Sequence, residues 1–164
     1  MSEIGIVNMS GFGLYIGRGD RNNEASPLAN PFPITPNRDR DQSIAQFKKY
    51  LWNKIQRYIS FGEIDLTVAE FLYLCRKNQY GEDIALRCYC APKPCHGDVI
   101  KAAIEWFNKN HPLPTIGDVV LYPEKDWLQM TILAIDDRLW CRCTHKYYKN
   151  PRGELHYLPD LKRS

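Results

Sequence analysis

Residues 83–107 read DIALRCYCAPKPCHGDVIKAAIEWF, and this stretch decides the fold class. Its opening alternates Ile84, Leu86, Cys88 and Cys90 with Asp83, Ala85, Arg87 and Tyr89, which is the period of a strand over Asp83 to Cys90. Its closing half sets Val99, Ile100, Ala103, Ile104 and Phe107 on a single stripe at helical spacing. The prolines of Ala91-Pro92-Lys93-Pro94 stiffen the joint between the two. A strand that runs through a short loop into a helix is the repeating unit of layered α/β folds. The joint is also their preferred ligand position. It lies beyond the carboxyl ends of the strands, and the first turn of the helix offers unpaired N–H groups that suit an anion.

Two more helices precede this unit. Ile44, Phe47, Tyr50, Leu51, Ile55, Tyr58 and Ile59 form one buried stripe, opened by Asp39 as N-cap with Gln42 three residues later. Thr67 and Glu70 stand in capping-box relation before the stripe Val68, Phe71, Leu72 and Cys75, and this helix is expected to end near residues 78–81. At the start of the chain, the apolar runs Ile4 to Met9 and Phe12 to Ile16 flank Ser10-Gly11 and read as a hairpin. Residues 17–37 are too polar and too rich in Gly, Asn and Pro for a regular element, and loops of about twenty residues inside a small domain are commonly functional.

After Asn110-His111-Pro112-Leu113-Pro114-Thr115 the pattern changes to strands alone, over 118–122, 128–135, 139–145 and 154–158. The expected architecture is therefore a small Rossmann-like layered α/β domain over residues 1–110, followed by a small all-β SH3-like barrel over residues 111–164.

The composition narrows the function classes. The chain has 164 residues, 22 Lys+Arg against 19 Asp+Glu and a net charge of +3, which argues against a dedicated nucleic-acid coat or a polybasic membrane binder. The start MSEIGIVNMSGFG lacks the basic and apolar regions of a secretion signal, and no apolar run approaches the roughly 20 residues of a membrane span. A cytoplasmic location is expected, and the six cysteines should be free, metal-bound or reactive thiols there, not a disulfide framework.

The Cys-His loop admits three readings. Cys88, Cys90, Cys95 and His96 carry the donor atoms that zinc prefers. However, Cys88 and Cys90 on an extended strand would have Cα atoms up to ~6.8 Å apart, so the strand would have to bend at Tyr89 to bring their sulfurs within about 4 Å. In the second reading Cys90 or Cys95 is a nucleophile, its pKa lowered by the helix N-terminus, with His96 or Asp98 transferring protons. Adjacent side chains seldom point at each other, so Cys90 with His96 across the loop is a better pair than Cys95 with His96. In the third, Cys88 is a buried strand residue, His96 or Asp98 caps the helix and Gly97 permits the turn. Cys75, Cys141 and Cys143 read as core residues, and His145 as lying near the rim of the barrel.

The segments YIGRG (15–19), ANPF (29–32), the helix carrying Tyr50-Leu51 and CYCAPKPCHGD (88–98) together resemble a bacterial and phage family catalogued as domain of unknown function 4326. The likeness covers about residues 4 to 108. It implies that the Arg18 loop, the Asn30-Pro31-Phe32 segment and the Cys-His loop share one site, and it supplies no reaction. This sequence departs from the family pattern in having Ala29 where Gly is usual, and in a longer loop from Asp20 to Leu28.

The function expected is binding, with or without processing, of a small phosphorylated or nucleotide-type ligand. Arg18 and Gly19 would hold the anion, Asn30 and Phe32 would frame the organic part, and Cys90, Cys95, His96 and Asp98 would complete the wall. The alternative is a non-enzymatic module stabilised by zinc on Cys88, Cys90, Cys95 and His96, whose barrel contacts protein or nucleic acid. Lys146, Tyr147, Tyr148, Lys149 and Arg152 mix bases with aromatics as single-strand binders do. Yet residues 111–164 hold eight basic side chains against seven acidic ones, which disfavours nucleic acid.

Overall fold

The strand Ile84–Arg87 (β3) organises the N-terminal half, because both other strands of its sheet pair with it. Ile4–Val7 (β1) lies parallel on one side, with Ile4 opposite Ile84 and Val7 opposite Arg87. Leu14–Tyr15 (β2) lies parallel on the other, with Leu14 opposite Leu86 and Tyr15 opposite Arg87. The sheet order is thus β1-β3-β2. The expected hairpin does not form: the turn is there, with Gly11 N–H bonded to Asn8 O at 3.1 Å, but it feeds a connection that carries the chain across β3. Gly13 is where that connection meets the strand. A Cβ at Gly13 would stand 2.5 Å from the carbonyl oxygen of Ala85, so a glycine is needed for the close approach.

The computed structural model describes residues 2–122, 128–135, 140–144, 154–157 and 162–163. The chain divides into two units, Met1–Asn110 and His111–Ser164. In the first, three helices accompany the sheet: Arg40–Phe61 (α1), Leu66–Gln79 (α2) and His96–Asn110 (α3). Helix α1 begins with the capping box its spacing predicts: Gln42 N–H donates to Asp39 Oδ1 at 2.8 Å, and Asp39 N–H to Gln42 Oε1 at 3.1 Å. It ends at Gly62, whose φ of 71° is the left-handed cap that a side chain would oppose. Helix α2 starts earlier than the Thr67-Glu70 pair suggests, because Asp65 takes the cap by accepting the N–H of Val68 at 2.9 Å.

The helical stripes meet in one core. Phe47, Leu51, Ile55, Phe71, Leu72, Ile100, Ile104 and Phe107 are buried, and Phe71 meets Phe107 edge to face at 5.5 Å between centroids. From β3, Ile84 and Leu86 are buried and Ala85 and Arg87 half-buried, the expected alternation. The strand is shorter than expected and stops at Arg87, because the chain then turns, with Lys93 N–H on Cys90 O at 2.8 Å. Residues 17–37 form no helix or strand, only a lone bridge between Thr35 and Arg38, and Leu28 anchors the loop by complete burial.

The second unit is a sheet of five strands, Val119–Tyr122 (β4), Leu128–Ile135 (β5), Trp140–Thr144 (β6), Glu154–Tyr157 (β7) and Lys162–Arg163 (β8), in the order β7-β6-β5-β4-β8. All its pairs are antiparallel, with a bulge between Ile132 and Ala134. Among the described residues the sheet is open. Its edge strands β7 and β8 pair only with β6 and β4, so the expected closure into a barrel is not made. Among its described residues Val120, Met130, Ile132 and Cys143 are buried, consistent with a core role for Cys143. The side chain of Cys141, His145 and the Lys146–Arg152 segment lie outside the described residues.

Candidate functional site

Two chain segments leave the sheet at the carboxyl ends of adjacent parallel strands: Ile16 to Asp20 after β2, and Cys88 to Cys95 after β3. Between them and the Asn30–Ile34 segment lies a cleft of about 480 Å³. Of the residues singled out from sequence, Arg18, Gly19, Asn30, Phe32, Cys88, Cys90 and His96 line it, whereas Cys95 and Asp98 do not.

The first wall is held by tyrosine. Tyr15 O–H donates to Arg18 O at 2.5 Å and so closes the Gly17-Arg18-Gly19 turn. Tyr89 stands edge-on to Tyr15 at 6.2 Å and donates its hydroxyl to Asp20 Oδ2 at 2.6 Å. Asp20 also accepts the N–H groups of Asn22 and Asn23 at 2.7 and 2.9 Å. These bonds, the one from Tyr89 foremost, hold its carboxyl down at about 2, so Asp20 is a fixed negative charge. The guanidinium of Arg18 makes no hydrogen bond or ion pair among the described residues, although its charge is felt by Tyr15 and His96.

The second wall is a locked loop. Asn30 accepts Phe32 N–H on Oδ1 at 2.8 Å and donates through Nδ2 to Ser43 Oγ at 3.0 Å, while Ser43 donates to Phe32 O at 2.5 Å. Asn30 is therefore largely committed to shaping the Asn-Pro-Phe turn, as an asparagine before proline often is. Phe32 is held edge-on by Tyr50 at 6.0 Å. Tyr15, Asp20, Ser43 and Tyr89 also line the cleft, and sequence reasoning passed over all four. Ser43 sits in the first turn of an amphipathic helix and Tyr89 on the presumed solvent side of a strand, so neither pattern marked them.

The floor is the start of α3. Cys95 occupies the cap: its sulfur accepts Gly97 N–H at 3.2 Å, and Asp98 reaches back to Cys95 N–H at 2.8 Å. Asp98 thus completes a capping box with a thiol in the place of the usual hydroxyl. Arg40, the first residue of α1, donates to Pro94 O at 3.1 Å and ties this loop to that helix. The donor atoms of Cys88, Cys95 and His96, all buried, lie within 4.8 Å of one another. Neighbouring Cys95 and His96 thus bring their donor atoms within 4.8 Å of each other, which is proximity and not a hydrogen-bonded pair. Cys90 is half-buried and stands outside this trio.

Electrostatics separates the two thiols. The neighbouring Cys88 thiol and the N–H of Gly97 hold the Cys95 thiol down at about 7 against the opposing effect of burial. Cys95 and burial together push the Cys88 thiol well up. Burial lowers the pKa of His96, and the nearby positive charge of Arg18 adds to this. His96 is therefore neutral near pH 7. Its Nε2 lies 2.7 Å from Ile16 O, and since a carbonyl can only accept, Nε2 carries the proton and Nδ1 keeps the lone pair. Phe47 packs edge-on to the ring at 5.1 Å and fixes its plane.

These features define a mixed α/β protein whose N-terminal unit carries a cleft beyond the ends of its parallel strands, with Cys88 and His96 of a Cys-Cys-His trio in its lining. Residues 5–106 match the family described as a domain of unknown function (DUF4326), and the chain belongs to that family. No curated protein and no solved structure matches it. No described helix is long and apolar enough to cross a membrane.

Proposed function

We propose that the N-terminal unit uses its parallel-strand ends in a Rossmann-like way to bind a small phosphorylated or nucleotide-type ligand. The observation that carries this reading is the Arg18 guanidinium, without a hydrogen-bonded or ionic partner among the described residues, on the wall of a cleft of about 480 Å³. That volume falls in the range of small-ligand sites. Arg18 offers a planar fork to a phosphate, and Phe32, Tyr15 and Tyr89 offer ring faces and edges to a base. Of the groups named from sequence as chemically active, Cys90 and His96 line the cleft, while Cys95 and Asp98 are taken up by the cap of α3.

Calorimetric titration with nucleoside mono-, di- and triphosphates tests the reading, with Arg18→Ala as the variant. A charge-assisted hydrogen bond is worth about 1.5–3 kcal/mol, so loss of Arg18 should weaken binding about 10- to 100-fold. Absence of binding by all of these nucleotides, or unchanged affinity in Arg18→Ala, would overturn it.

A further inference from the structure

We propose that Cys88, Cys95 and His96 form a zinc site with three protein ligands and a fourth coordination position open to the cleft. The inference does not rest on the nucleotide reading.

The geometry is close to what zinc needs. At Zn–S distances of about 2.3 Å, tetrahedral ligands lie about 3.8 Å apart. The three donor atoms already fall within 4.8 Å of one another, so adjustments of about 1 Å or less assemble the set. Two thiol sulfurs and an imidazole nitrogen are the donors this borderline-soft ion selects. His96 also has the outer partner that metal-bound histidines show, since its Nε2–H on Ile16 O leaves Nδ1 as the ligating nitrogen. The Gly97 N–H on the Cys95 sulfur supplies a like outer contact to the thiolate.

Helix capping accounts for Cys95 alone. It does not explain why a second buried thiol and a buried imidazole converge on the same point. Binding is an exchange without redox change: two S–H bonds break, two Zn–S bonds and one Zn–N bond form, and two protons pass to solvent. The resulting unit of Zn²⁺ and two thiolates is neutral, so it can be accommodated in the interior. Cys88 and His96 line the cleft and Cys95 does not, which places the unfilled side of the tetrahedron towards the cleft. Cys90 lies outside the trio, so the site has three ligands where the sequence suggested four. Three ligands with an open position is the arrangement of zinc centres that activate water or bind an incoming anion.

The test is metal analysis of protein purified without chelator, followed by replacement with cobalt(II) and absorption spectroscopy. One zinc per chain is expected, with a cobalt form showing tetrahedral d–d bands and thiolate-to-cobalt charge transfer. Cys90→Ser should keep both, Cys95→Ser and Cys88→Ser should lose charge-transfer intensity, and azide should perturb the d–d bands. Folded wild-type protein that takes up neither metal, or binds cobalt without thiolate bands, would overturn the site whatever the variants do. Loss of the band in Cys90→Ser would overturn the ligand set, and bands indifferent to azide would overturn the open position.

Discussion

Replacing Gly13 by Ala probes the strand order on which the cleft depends. A Cβ there would stand 2.5 Å from the carbonyl oxygen of Ala85 and 3.0 Å from both its carbonyl carbon and its Cβ. Ala85 cannot yield easily, because it lies in the middle of β3, which is laddered to β1 on one side and β2 on the other. Overpacking of this kind costs about 1–3 kcal/mol. The substitution also stiffens the unfolded chain, which offsets about 0.4–1 kcal/mol. A net loss of about 1–2 kcal/mol remains, equivalent to about 4–8 °C in Tm for a unit of this size. Gly5→Ala is the matched control: it lies in β1 with nothing within 4 Å of the new Cβ, so only the chain-stiffening effect applies and stability should rise by about 0.4–1 kcal/mol. Urea unfolding followed by helical circular dichroism reports on the right unit, since α1, α2 and α3 all lie within it. If Gly13→Ala proved as stable as Gly5→Ala, the connection would not run against Ala85 and the β1-β3-β2 order would fail.

Two further outcomes follow from the electrostatics. Tyr89→Phe removes the foremost of the bonds that hold Asp20 at about 2, so its carboxyl should titrate closer to the ordinary 3.8. NMR titration of the Asp20 side chain measures this, and an unmoved midpoint would assign the effect elsewhere. Glu70 is half-buried, and burial raises its pKa above the ordinary 4.5, so its ionisation opposes folding. That cost is absent below the ordinary value, grows as pH rises above it and is complete once pH has passed the folded-state value. Glu70→Gln should therefore match wild type near pH 4 and exceed it in stability near pH 7, and unfolding curves at the two pH values check the crossover.

Local chemistry made much of this protein legible from its sequence. The apolar stripes of α1, α2 and α3, the Asp39-Gln42 cap and the strand character of Ile84–Arg87 depend on residues a few positions apart, and these were read directly. The placing of the Arg18, Asn30-Phe32 and Cys-His segments around one cleft followed partly from strand-end logic and partly from family resemblance. Asp65 and Thr67 are both good caps, and α2 uses Asp65, so it starts before the Thr67-Glu70 pair.

The remainder belonged to tertiary structure. A turn at Ser10-Gly11 signals that the chain reverses locally, yet not which strand each flank will pair with. That choice was made by β3, eighty residues away in register with β1. The roles of Asn30 and Asp98 were likewise undetermined until their partners, Ser43 and the Cys95 N–H, came within reach. The same holds for the thiols. Sequence spacing offered Cys88, Cys90, Cys95 and His96 together as one ligand set. Folding divides that set, because β3 ends at Arg87 and the chain then turns into α3, bringing the donor atoms of Cys88, Cys95 and His96 within 4.8 Å of one another and leaving Cys90 on the wall of the cleft.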